Sequence, residues 1–157
     1  MKKFKLKKSL SQFFAVFLIS SFLTLPIGVY AASYPGIVLS VRLGLYLTYN
    51  SQATLIKDGS SGTGSINVKC VAADPGESLV RNPGWMAAGA SLYQQIGGSN
   101  YLVKGVSLTY NNVSTASWTV QANGSIGSGT YMAIGDTYSG GGSYYERQSP
   151  YTSYITF

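Results

Sequence analysis

The chain has no histidine and one cysteine, Cys70. Without histidine the commonest general base and metal ligand is gone, so Ser-His-Asp and Cys-His catalysis are excluded, and no GxSxG elbow is present. Zinc would lack both of its usual soft ligands. A single cysteine cannot close an internal disulfide, so the fold has to stand on a packed core. Charge is equally scarce. Five of the eleven basic residues are lysines within the first eight positions (MKKFKLKK), which leaves Arg42, Lys57, Lys69, Arg81, Lys104 and Arg147 against Asp58, Asp74, Glu77, Asp136 and Glu146, a balance of +1. Cations this dispersed form no stripe that neutralises phosphates, which removes the electrostatic term driving nucleic-acid binding. The glycines at 59–64 lack the lysine and following helix of a phosphate-cradling loop. Neither Asp74 nor Asp136 sits in a dense oxygen-ligand run of the DxDxDG kind that calcium asks for. The sequence predicts no nucleic-acid partner, no metal and no cofactor.

Long apolar runs are confined to one place, positions 13–29, where Pro26 breaks the run near its end. The lysines before it, and Val29-Tyr30-Ala31 with small residues at −3 and −1, complete a secretory signal. Residues 1–31 are read as that signal, with cleavage between Ala31 and Ala32, and 32–157 as one domain of about 126 residues, large enough to bury its own core. The lysine-heavy start has a bacterial style. The mature protein is expected to be secreted and extracellular, without stable membrane insertion once the signal is removed; outer-membrane or cell-surface association is the alternative.

Phenylalanine nearly disappears beyond the signal: of six, only Phe157 remains, whereas twelve tyrosines and both tryptophans do. Tyrosine among Gly, Ser, Thr and Asn suits surfaces that bind through amphipathic rings and adaptable polar groups. The same residues also serve strands and tight turns.

Period-two alternation dominates the domain. At positions 37–49 the odd residues are Ile37, Leu39, Val41, Leu43, Leu45, Leu47 and Tyr49, a half-buried strand. At ~3.4 Å per residue it would span about 40 Å, so a bend or bulge at Gly44, or a passage between sheets, is expected. Positions 52–57 and 65–72 flank DGSSGTGS as a hairpin, with Ile66, Val68, Cys70 and Ala72 on one face and the thiol in the core. Residues 73–85, with two Pro-Gly dipeptides, form the best loop candidate. Within 83–96 the spacing of Trp85, Ala88, Leu92 and Ile96 fits a helix, but a strand over 91–96 is preferred. Runs at 101–110, 113–122 and 125–134, punctuated by GGSN, YNN and NG, read as a meander, Asn123-Gly124 being the strongest hairpin signal. Ala116, Trp118, Val120 and Ala122 share a face, which makes Trp118 a core residue. After a glycine-rich loop at 135–143, strands at 144–148 and 151–157 close the chain, with Tyr151, Ile155 and Phe157 on one face. Regular strands and almost no helical signal predict an all-β fold: an antiparallel β-sandwich, jelly-roll or Ig-like meander, of about seven or eight strands.

Three functional classes are compatible with this chain. The leading expectation is a secreted, non-enzymatic binding module whose loops at 73–85 and 135–143 offer Trp85, Tyr138, Tyr144 and Tyr145 to a glycan, a cell-wall polymer or a protein partner. The second is a membrane-active protein: a secreted toxin or bacteriocin-like antagonist, or a small outer-membrane barrel closed by the strand ending at Phe157. The third is a hydrolase working with carboxylates alone, for which Asp136 and Glu146 flank the same glycine-rich loop. Export predicts that protein recovered from the medium of a native-like host begins at Ala32 by N-terminal sequencing. A detergent-requiring membrane fraction beginning at Met1 would mean a retained anchor, and one beginning at Ala32 a barrel.

Overall fold

The computed structural model describes residues 31–45, 47–58, 63–72, 79–141 and 143–157. Residues 1–30 of the 1–31 signal, the tip of the 59–64 loop and residues 73–78, with Asp74 and Glu77, lie outside the described residues.

The described residues are all-β: β1 (Ala32–Leu43), β2 (Leu47–Asp58), β3 (Thr63–Ala72), β4 (Met86–Ile96), β5 (Ser99–Tyr110), β6 (Ser117–Ser125), β7 (Thr130–Gly141), β8 (Tyr144–Gln148) and β9 (Ile155–Thr156). They make two antiparallel sheets. One has the order β1-β2-β3-β6; the other runs β5-β4-β7-β8, with β9 also on β7. Inward residues of both sheets, among them Ala53, Leu55, Ile66 and Val68 from the first and Ala88, Ala90, Leu92 and Ala133 from the second, bury one another in the main core. A smaller cluster holds Leu43, Tyr49, Cys70 and Met86, and Trp118 packs against both.

Several expectations change at this point. Positions 37–49 are not one strand but the two arms of a hairpin, turning at Gly44 with φ of 62°. Alternation survives the turn because Leu43 pairs with Leu47, and the three residues between them keep odd positions on one face. The hairpin of 52–57 and 65–72 is present and longer, and Ile66, Val68, Cys70 and Ala72 are all fully buried. Strand β4 takes in the whole of residues 86–96, leaving no helix there.

The meander over 101–134 does not form. Strand β6 leaves its sequence neighbours and pairs with β3, so the chain crosses between sheets on either side of it. Asn123 and Gly124 are therefore strand residues, opposite Ser65 and Gly64, and not a turn. The apolar alternation of 116–122 carries the strand through them, and the chain turns later, beyond Ile126. That side chain is buried where Gly64 lacks one: a Cβ on Gly64 would come within 2.6 Å of Ile126 Cγ1. The two-residue turn with both φ values positive is Gly97-Gly98, joining β4 to β5 at φ of 57° and 83°.

The glycine-rich loop at 135–143 is another correction, because residues 135–141 belong to β7. Its glycines serve close packing. A Cβ on Gly135 would stand 2.8 Å from both Pro150 Cγ and Val68 Cγ1, and one on Gly141 would collide with Leu47 and Trp85. Beyond β8, only Ile155 and Thr156 form a strand. Tyr151 makes an isolated bridge to Ile134, and between them Thr152 is buried, its hydroxyl accepting the Ala133 amide at 3.0 Å. Ile155 and Phe157 pack on the core, whereas Tyr151 is exposed.

Burial pushes the Cys70 thiol pKa up, against the lowering hydrogen bonds of Ser139 and Ser51. Cys70 should resist thiol reagents in the native protein at about pH 8 and react freely once unfolded; equal rates would place it at the surface. Because its folded pKa is the higher one, its contribution to stability is complete below the unfolded pKa of about 8.5. That contribution is lost as pH rises through the folded value, since the unfolded chain ionises first.

Candidate functional site

Strand β7 lies between β4 and β8, and its alternation is strict. Tyr131, Ala133, Gly135, Thr137 and Ser139 are buried inward, which turns Met132, Ile134, Asp136 and Tyr138 outward. The register then assembles a strip of tyrosines across four strands on the outer face. Ala87 on β4 sits opposite Tyr110 on one side and Tyr138 on the other. Tyr138 in turn is opposite Arg147, and Gly140 is opposite Tyr145.

Small residues underneath let the rings meet. Over Ala87, Tyr110 and Tyr138 make an edge-to-face pair with centroids 5.3 Å apart at 64°. Tyr138 leans the other way over Gly140, where a Cβ would lie 2.8 Å from its Cε1, and there it stacks on Tyr145 at 5.8 Å and 17°. Both geometries are ones that the ring quadrupole favours. Tyr145 ends the stack and is 69 % exposed, so one ring face is open to solvent.

Below the strip the interior holds hydrogen-bonded polar side chains. The Tyr49 hydroxyl donates to the Gly140 carbonyl, Thr137 Oγ1 donates to Ser51 Oγ at 2.8 Å, and Cys70 Sγ lies 3.5 Å from Ser139 Oγ. These contacts fix the backbone from which Tyr138 rises. Beside the rings, Arg147 Nε donates to Asp136 Oδ1 at 3.3 Å and Nη2 donates to Oδ2, a two-point pair. This exposed pair adds little to stability, but it holds the guanidinium in place next to Tyr138. The Asp136 hydrogen bond first, and its charge second, raise the Arg147 pKa, so the cation is permanent.

Of the four candidates read from the sequence, the structure brings Tyr138 and Tyr145 together. Tyr144 alternates to the other face, toward the β1–β2 turn, its ring 3.9 Å from where a Cβ on Gly44 would stand. Trp85 is half-buried on that same side, against Gly141. Tyr110, 47 % exposed, was missed, as was the role of Arg147. The spacing of Asp136 to Tyr138 and of Tyr145 to Arg147, two residues each, is the available signal, and it becomes readable only when 135–141 is taken as a strand. Tyr110 joins through cross-strand register, which no local pattern reports. Asp136 and Glu146 do not form a facing pair: Asp136 is engaged by Arg147, and Glu146, opposite Ser139, alternates away from it. Among the described residues, no group of three or more His, Cys, Asp or Glu side chains is gathered to hold a metal.

Compared with family models, with curated proteins and with solved structures, the chain shows no match.

Gly140→Ala should displace the Tyr138 ring from Tyr145 with only a small loss of stability, because the colliding atoms belong to a movable ring. Loss of the ring-current shifts of both tyrosines with a nearly unchanged melting temperature is the expected result; unchanged shifts would mean that Gly140 does not shape the stack.

Proposed function

We propose that this is a secreted, non-enzymatic binding protein that takes a glycan on the outer face of its second sheet, through the strip of Tyr110, Tyr138 and Tyr145. The observation carrying this reading is the open ring face of Tyr145 at the end of a supported stack. The face of a phenol ring is electron-rich, and the C–H groups on one side of a pyranose carry the complementary partial charge. A sugar ring seated on Tyr145 extends the stack by one member. The three tyrosines stand on strands, not on mobile loops, so little ordering has to accompany binding. Export, expected from the N-terminal segment, would bring such a face to extracellular or wall polysaccharides.

Tyr145→Ala tests this directly. One aromatic contact of about 0.5–1.5 kcal/mol corresponds to roughly two- to twelvefold in affinity. In pull-down on insoluble polysaccharides and wall preparations, Tyr145→Ala should lose retention by that factor with its melting temperature unchanged, while Tyr144→Ala binds like the parent. Equal retention of Tyr145→Ala would remove the strip as the site.

A further inference from the structure

The hydrogen-bonding groups beside the stack narrow the kind of glycan. Asp136 and Arg147 cancel one another's charge, and Glu146, opposite Ser139, alternates to the other face. No other cation shares this face among the described residues. Lys104 runs over Gly124 of β6, Lys57 sits above the Phe157 ring at 4.6 Å, Arg42 donates to the Leu45 carbonyl, Lys69 is on β3 of the other sheet, and Arg81 lies buried over Tyr49. An anionic polymer would find the one cation of this face already neutralised by the Asp136 carboxylate. The outward residues between the strip and the far end of the sheet, Ser91, Tyr93, Met132 and Ile134, are uncharged.

We infer that the ligand is an uncharged pyranose polymer, and that Asp136 and Arg147 read its hydroxyls while Tyr145 carries its ring. This rests on the stacking reading given above. A hydroxyl both donates and accepts, so two neighbouring hydroxyls on one sugar edge match an acceptor and a donor held side by side. Arg147 spends Nε and Nη2 on Asp136, and its Nη1 has no partner among the described residues. The carboxylate keeps lone pairs beyond the two that the guanidinium uses. Arg147 follows Tyr145 by two residues on β8, about 7 Å along the strand, and Asp136 meets its guanidinium from β7, so a run of two sugars along β8 can touch ring and pair together.

The test is calorimetric titration of the protein and its Tyr145→Ala, Arg147→Gln and Asp136→Asn variants with cellohexaose, chitohexaose and hexagalacturonate. All three substituted positions are at or near the surface, and thermal unfolding verifies that each variant is folded. The expected result is that a neutral hexamer binds with little change between about 0.05 M and about 0.5 M salt. Arg147→Gln and Asp136→Asn should each weaken it about tenfold, and hexagalacturonate should bind at least about tenfold less well. Tighter or strongly salt-dependent binding of hexagalacturonate would overturn the uncharged ligand. Loss of affinity in Tyr145→Ala alone would overturn the role of the pair while leaving the stacking site standing. Binding undiminished in Tyr145→Ala, or no binding of any probe, would overturn both.

Discussion

Everything in this molecule rests on the face-to-face packing of two sheets through unusually small side chains. Alanines at 53, 88, 90, 122 and 133 are buried between them, and Gly135 admits Val68 and Pro150 where a side chain would collide. Small residues bring the sheets close, and larger ones such as Leu55, Ile66, Leu92 and Tyr131 fill what is left. Trp118 bridges the two apolar clusters, and its indole N–H donates to the Thr109 carbonyl at 2.7 Å, tying β6 to the edge of the opposite sheet. Close packing between the sheets stands in for the internal cross-link that a single cysteine cannot make.

That packing also makes the outer face. Because side chains alternate strictly along a strand, burying Thr137 and Ser139 obliges Tyr138 to stand outward, and the polar contacts below it hold its backbone still. The same economy of size recurs above the sheet, where Ala87 and Gly140 are the floor on which three rings meet. The glycine that would weaken an ordinary strand here allows an aromatic stack.

Much of the fold was legible. Alternation marked the buried faces of 65–72 and 116–122, including the burial of Cys70, because burial on one side of a sheet writes itself into every second residue; within 37–49 it held for Leu43 and Tyr49 but not for Ile37 and Leu45, which are exposed. What alternation does not encode is which strand lies beside which. The crossing of β6 to pair with β3 is decided by long-range contact, so Asn123-Gly124, locally a turn, was carried into a strand by the pairing of Ser65 and Gly64. Glycines misled for the opposite reason at 135–141: composition cannot separate a glycine needed for a turn from one needed for close approach. Half of the candidate site was legible for the same cause. Tyr138 and Tyr145 stand out as aromatics near the end of the chain, whereas Tyr110 and Arg147 acquire meaning only from the register of β5, β4, β7 and β8.

The central claim is that the exposed end of the tyrosine stack is where a ligand rests. An NMR titration of protein labelled at its tyrosine rings and arginine side chains, with cellohexaose and chitohexaose as probes, addresses it at the level of atoms. The account predicts saturable shifts at the rings of Tyr145 and Tyr138 and at the Arg147 guanidinium, with Tyr144 and the Trp85 region unmoved. Shifts centred on Tyr144 and Trp85, or none at any tyrosine, would contradict it.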